Sequence, residues 1–201
     1  MSARAEQRER SHEAIVTSAA RLLRAHGLVG TRVADVMHGA GLTVGGFYAH
    51  FDSKEALLRE ALRRTSAEVR ARLFGTLDEH PPEQRLDVAL RRYLSAQHRD
   101  EHERGCPLPA VVGEVSTTAP DYAGVVAEQL EATISGLAAE LPSGASCSSS
   151  SSATERLSKR TVAIAAVALM YGGLSLARAV AGTPLSDEIL KACRAAGSTL
   201  R

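Results

Sequence analysis

The sequence predicts an all-α protein of about nine helices, with an N-terminal three-helix domain built on a helix-turn-helix and a C-terminal helical domain. Three observations lead there. Long stretches are rich in Ala, Leu, Arg and Glu, which lose little on entering a helix. Apolar residues recur three and four apart instead of alternating as a strand would require. Gly and Pro punctuate these stretches, and no hairpin-type alternation flanks them. The expected division falls between 1–52 and 53–201, with the helix 53–77 connecting the two parts.

The first helix is expected from about residue 8 to His26, with Ile15, Ala19, Leu22 and Leu23 on one face and Gly27 as its left-handed stop. A short second helix from Arg32 turns Val33, Val36, Met37 and Ala40 inward and ends at Gly41. A third spans Thr43 to Phe51. A fourth runs from Ser53 to Leu77, capped by Asp52 or Ser53, with Asp52 and Glu55 spaced as a capping box. The fifth opens at Pro82 and continues through Asp100. Pro107 and Pro109 break and restart the chain, since both cannot sit inside one helix. A further helix covers 119–141, and two more cover 154–181 and 184–199. The intervening "PSGASCSSSSSA" at 142–153 has too little to bury and is expected to be a flexible loop.

Composition narrows the class. With 44% hydrophobic and 23% charged residues, a wholly disordered or fibrous chain is excluded. The charged N-terminus is followed by no apolar run of signal-peptide type, so a cytoplasmic protein is expected. Residues 161–177 carry no charge, but this stretch is rich in Ala and Gly and short of a bilayer span, so a buried helix is expected and no membrane partner. Cys106, Cys147 and Cys193 show no paired spacing, and no cofactor or metal is expected. Residues 1–72 hold 12 Lys+Arg against 8 Asp+Glu, a net of +4, whereas 73–201 hold 12 against 15, a net of −3. That asymmetry points the front segment toward a polyanion.

The segment "TRVADVMHGAGLTVGGFYAHF" at 31–51 gives the polyanion a shape. Two short helices about a tight turn at Gly41 match a helix-turn-helix, whose second helix enters the DNA major groove. Thr43 is expected to cap that second helix. Val44, Gly45 and Gly46 form an almost bare first turn that can approach base edges, while Phe47 and Phe51, four apart, anchor it in the core. Tyr48 and His50 lie off the anchoring face and can donate to phosphates. Lys54 places a cation in the first turn of the following helix, a position that favours an anion from outside.

Taken in order and at this spacing, "AIVTSAARLLRAHG", "TRVADVMHGAGLTVGGFYAHF" and "DSKEALLREAL" resemble the DNA-binding domain of the TetR family of bacterial transcription regulators. The resemblance covers residues 1 to 75. It implies an all-helical second domain for ligand binding and dimerisation, and a homodimer on a palindromic double-stranded DNA operator. By position it implies that Thr31 and Arg32 lie near phosphate, Thr43 to Gly46 at the groove, and Tyr48, His50 and Lys54 on the backbone. Arg32 stands where the family often has Thr or Ser, and Met37 where a small Ala is usual, so the packing between the second and third helices is expected to differ.

In the second domain, Tyr93, Cys106, Glu114, Met170, Tyr171 and Arg178 are candidates to line a pocket for an unknown small-molecule effector, since such pockets are apolar with a few convergent polar groups. Ala165, Ala168, Leu169, Gly172 and Leu176 share a helix face of mostly small residues and are the candidate dimer interface. The expected function is that of a ligand-responsive repressor, with no catalytic residue. Two rivals come from other classes. His98, Glu101 and His102 spell H-x-x-E-H, a pattern of zinc peptidases. Zinc catalysis also needs a third protein ligand, and "HRDEHER" reads better as a solvated helix end. The other rival is a helical interaction protein that binds DNA constitutively, or not at all, without an effector.

Overall fold

A computed structural model describes residues 2–142 and 158–200, and within them every regular element is helical. The loop expected at 142–153 therefore lies outside the described residues apart from Pro142, as do Cys147 and the expected start of the eighth helix at Thr154. The α-helices are α1 (Ala3–Gly30), α2 (Val33–Gly39), α3 (Lys54–Phe74), α4 (Pro82–Tyr93), α5 (Ala96–Asp100), α6 (Leu108–Val115), α7 (Ala123–Glu140), α8 (Lys159–Ala179) and α9 (Pro184–Ser198). Short 3₁₀ helices occupy Val44–Ala49, His102–Arg104 and Pro120–Tyr122. The chain divides into two compact units, Met1–Val69 with Glu101–Gln129 and Arg70–Asp100 with Leu130–Arg201. The segment 1–52 lies wholly within the first.

In the first unit, α1 begins earlier than its apolar pattern because Ser2 caps it, accepting from the Ala5 amide at 3.4 Å. Nor does Gly27 end the helix. It takes φ of 70°, kinks the backbone, and the chain completes another turn to Gly30. The kink breaks the helical hydrogen-bond ladder and leaves amides to be satisfied, and Glu114 of α6 supplies the acceptors. Its Oε2 takes the Leu28 N–H at 2.6 Å and its Oε1 the Val29 N–H at 3.4 Å. The Thr31 hydroxyl donates back to the Gly27 carbonyl at 2.6 Å. Beneath this, Ile15, Ala19 and Leu23 pack with Val36, Met37, Phe47, Leu57, Leu58, Ala61 and Leu62 in a closed core.

The second unit buries Leu86, Leu90 and Tyr93 of α4, Leu137 of α7, Ala163, Ala166, Met170 and Leu174 of α8, and Leu190 of α9. The single helix expected over 82–100 is two. Leu94 leaves helical geometry at ψ of 47°, and Ser95 restarts the chain by accepting the His98 amide at 3.1 Å. Arg92 donates to the Leu73 carbonyl at 3.1 Å, and Arg194 to the Leu94 carbonyl, so the break is held from two sides. By length and composition α8 could cross a membrane, with a mean hydropathy of 1.6, but half of that window is buried inside the protein. Its start is set by Ser158, which accepts from the Thr161 amide at 3.1 Å.

A Cβ at position 27 would lie 2.5 Å from Glu114 Oε1 and force a left-handed conformation on an L side chain. Gly27→Ala is therefore expected to lower the unfolding free energy by about 1–3 kcal/mol. Urea denaturation checks this, and an unchanged midpoint would contradict the strained kink.

Candidate nucleic-acid interface

The interface is assembled from α2, a tight turn and the 3₁₀ helix Val44–Ala49. Gly41, at φ of 70°, reverses the chain after α2, and the turn is closed by Gly41 N–H to His38 O at 3.0 Å and Leu42 N–H to Met37 O at 2.9 Å. Thr43 precedes the second element in extended geometry but makes no side-chain capping bond, contrary to expectation. The element is wound as a 3₁₀ helix, so the Thr43 carbonyl itself takes the Gly46 amide at 3.0 Å. The next helix is capped by Ser53, whose hydroxyl accepts the Ala56 amide at 3.1 Å. Asp52 plays no such part in the observed bonds.

The element has two sharply different faces. Phe47 and Phe51 are 2% and 6% exposed, with ring centroids 5.9 Å apart. Val44 and Tyr48 are 53% and 77% exposed, and Tyr48 stands edge-on to Phe47 at 5.2 Å. Gly45 has open space on its side-chain face. A Cβ on Gly46 would meet Met37 Cε and Thr43 Oγ1 at 3.8 Å, an ordinary contact, so neither glycine is required by internal packing. Met37 is fully buried, its Cε 3.8 Å from where a Cβ on Gly46 would lie.

Of the expected phosphate contacts, Arg32 is exposed at the entrance to α2, and Lys54 is the half-buried first residue of α3. Thr31 is different: it is 1% exposed and its hydroxyl is committed to Gly27, so its place is in closing the α1 kink and not at the surface. His50 sits at the end of the recognition element, half-exposed, with Nδ1 buried and lacking a hydrogen-bond partner. Burial, then the neighbouring His12 and Arg8, hold its pKa below the usual histidine range.

Sequence reasoning missed what stands behind this element. Arg8 donates to the Ala49 carbonyl at 3.2 Å, while His12 stacks on Phe51 at 4.7 Å and meets Glu60 Oε1 at 2.8 Å. The available signal was that Arg8 and His12 continue, at helical spacing, the α1 face that carries Ile15 and Ala19 inward.

The remaining candidates separate. Tyr93, Met170 and Tyr171 are all buried in the second unit, with the two tyrosine rings 5.5 Å apart and the Tyr171 hydroxyl 3.4 Å from Thr133 Oγ1. Arg178 is instead spent on the end of α5, donating to the carbonyls of His98 at 2.8 Å and Arg99 at 3.2 Å. Glu114 is spent on α1, and Cys106 is 2% exposed; both belong to the first unit. On α8, Ala168, Gly172 and Leu176 are exposed, Leu176 at 59%, and Ala165 and Leu169 are half-buried. Ile164, at 44%, extends the same apolar surface. The H-x-x-E-H residues do not share one helix: α5 ends at Asp100, a 3₁₀ turn starts at His102, and His98 turns Nδ1 to the Tyr93 carbonyl at 2.7 Å.

Residues 15–61 match the family model described as "Bacterial regulatory proteins, tetR family". No curated protein matches the chain. Among solved structures, it is similar to a TetR transcriptional regulator from Chloroflexus aurantiacus at 25% identity and a TM-score of 0.78, covering 96% of this chain and 95% of that one. A TetR-family regulator from Cytophaga hutchinsonii (21% identity, TM-score 0.75, 96% and 95% covered) and reduced E. coli NemR (23%, 0.75, 93% and 94%) share the fold. A helix-turn-helix with a bare, exposed tip and buried phenylalanine anchors thus coincides with the matched segment: residues 15–61 are a TetR-family DNA-binding domain, and the chain shares the all-helical fold of TetR-family transcriptional regulators.

Proposed function

We propose that the protein is a cytoplasmic repressor that binds a palindromic operator as a homodimer and leaves it when a small molecule binds. The observation that carries this reading is the surface of Val44–Gly46: exposed, nearly free of side chains, and rigidly seated on Phe47 and Phe51. Such a tip fits the major groove closely but offers few hydrogen-bonding groups, so base readout falls to backbone proximity, to Val44 against thymine methyls, and to DNA shape. Arg32, Thr43, Tyr48, His50 and Lys54 supply the backbone grip.

A single helix-turn-helix makes a weak complex, and pairing two places recognition elements about 34–36 Å apart, on successive turns of one DNA face. The apolar α8 surface of Ile164, Ala165, Ala168, Leu169, Gly172 and Leu176 is the pairing face in this reading. Small residues there allow helices to approach closely. The effector is assigned to the buried tyrosine pair, Tyr93 and Tyr171, with Met170 and Thr133. To convert a population from mostly bound to mostly released, it must prefer the released state by roughly 5.5 kcal/mol.

Three outcomes are expected. Lys54→Ala weakens binding to all duplexes and reduces the slope of log K against log salt by about one; an unchanged slope removes Lys54 from the phosphate contacts. Gly46→Leu abolishes operator preference in footprinting while leaving the melting temperature close to wild type, because a Cβ there makes only ordinary 3.8 Å contacts with the Met37 and Thr43 side chains; an intact footprint argues against groove insertion. Leu176→Glu gives a monomer by sedimentation velocity at concentrations where the wild type pairs, together with weaker DNA binding. A variant that remained dimeric would move the interface elsewhere.

A further inference from the structure

The first three turns of α1 lie ahead of its apolar core face, yet Arg8 and His12 tie them to the end of the recognition element and the residues that follow it. Arg8 reaches the Ala49 carbonyl, where the 3₁₀ helix ends and its carbonyl dipoles concentrate negative charge. His12, one turn on, covers the Phe51 ring and is fixed by Glu60 of α3. Its ring centroid is 6.2 Å from that of His50. The charged and titratable groups around His50 are therefore Arg8 and His12 from α1 and, behind His12, Glu60 from α3. The two nearest groups both oppose a proton on His50.

We propose that Arg8 and His12 are positioning residues for DNA binding, clamping the C-terminal end of the recognition element and making the arrival of a backbone phosphate at His50 a proton-linked step. A second proton on the His50 ring places an N–H at Nδ1, which is buried and faces no acceptor, so the free protein disfavours the charged imidazolium. A phosphate at the half-exposed edge of the ring supplies the negative charge that the surroundings lack, and the ring then takes a proton from solvent. The charge balance is closed by that proton: one phosphate anion approaches, one imidazole becomes imidazolium.

The sign follows from the two states. The pKa of His50 is lowered in the free protein and raised by phosphate in the complex. Below both values the ring is charged throughout and affinity is at its highest. Between them, binding takes up the proton and affinity falls as pH rises. Above both, affinity levels off at its lowest. The fall begins below the ordinary histidine value of about 6.5. One linked proton limits it to about tenfold per pH unit.

The test is a titration of the full-length protein against a fluorescein-labelled random-sequence duplex at low salt, since phosphate contacts do not depend on sequence. Anisotropy is read across neutral and mildly acidic pH, with calorimetry in buffers of different ionisation enthalpy to count protons. Wild type should show the fall and a net proton uptake; His50→Gln should bind with a flatter profile and a smaller uptake. Arg8→Gln and His12→Gln should move the fall to higher pH, because each removes a group that opposes the proton, and Arg8→Lys should restore the wild-type profile. Thermal melts of each variant confirm folding.

Identical pH profiles for wild type and His50→Gln would overturn the linkage. Equal loss of affinity at every pH in Arg8→Gln and His12→Gln, with no displacement of the fall, would reduce both to ordinary structural contacts and overturn it as well. The proposal rests on His50 meeting the DNA backbone, and the two failures look different: pH-independent DNA binding sinks the proton linkage alone, whereas no binding to any duplex at low salt sinks both.

Discussion

A six-residue 3₁₀ helix has no means of holding itself in water. Its hydrogen bonds are poorly aligned, and short isolated helices lose to the entropy of the open chain. What fixes Val44–Ala49 is the burial of Phe47 within it and of Phe51 just beyond it, with His12 of α1 stacked on the Phe51 ring. Each buried ring contributes about 1.5–3 kcal/mol toward the cost of ordering the segment. The exposed face is then free to dispense with side chains altogether, because none is needed for stability. The side-chain-free surface at Gly45 and Gly46 takes little from the packing, because the opposite face supplies it.

The kink in α1 has a related logic. A 28-residue helix that ran straight through Gly27 would need no help from outside, and α6 would have no polar hold on it. Because the ladder is broken there, two amides look for acceptors, and a carboxylate from α6 provides both. The left-handed glycine, the Thr31 hydroxyl and Glu114 form one joint, and α2 departs immediately after it. The start of the helix-turn-helix is thus registered to a side chain that lies 86 residues away in sequence.

Local chemistry was legible in the sequence, and distant pairing was not. The glycine turn at 41, the spacing of Phe47 and Phe51, the serine or aspartate before α3 and the two-faced pattern of α8 are all written within a few residues of one another. Each reappears in the structure at its place, although the cap proves to be Ser53 alone. The winding of 44–49 was not legible, since a short segment takes whichever helical form its packing favours. The break at Leu94 was missed because it is stabilised by Arg194, 100 residues on. Glu114 and Arg178 looked like pocket residues because a polar side chain in an apolar helix has many possible uses. Only folding brings Glu114 to the Leu28 amide and Arg178 to the α5 carbonyls. Thr31 was misplaced for a smaller reason: a threonine hydroxyl can bond backward to a carbonyl four residues earlier, and nothing in the sequence announces it.

The second unit joins its helices in one consistent manner. Arg85, Arg92, Arg178 and Arg194 each aim a guanidinium at main-chain carbonyls where a helix stops or a turn begins. Guanidinium stays protonated throughout the physiological range, and a peptide carbonyl does not ionise at all. Acidity therefore has no lever on these seams. These carbonyl joints of the second unit therefore carry the same charge in acid as at neutral pH, and hold the ends of its helices in the same way at both.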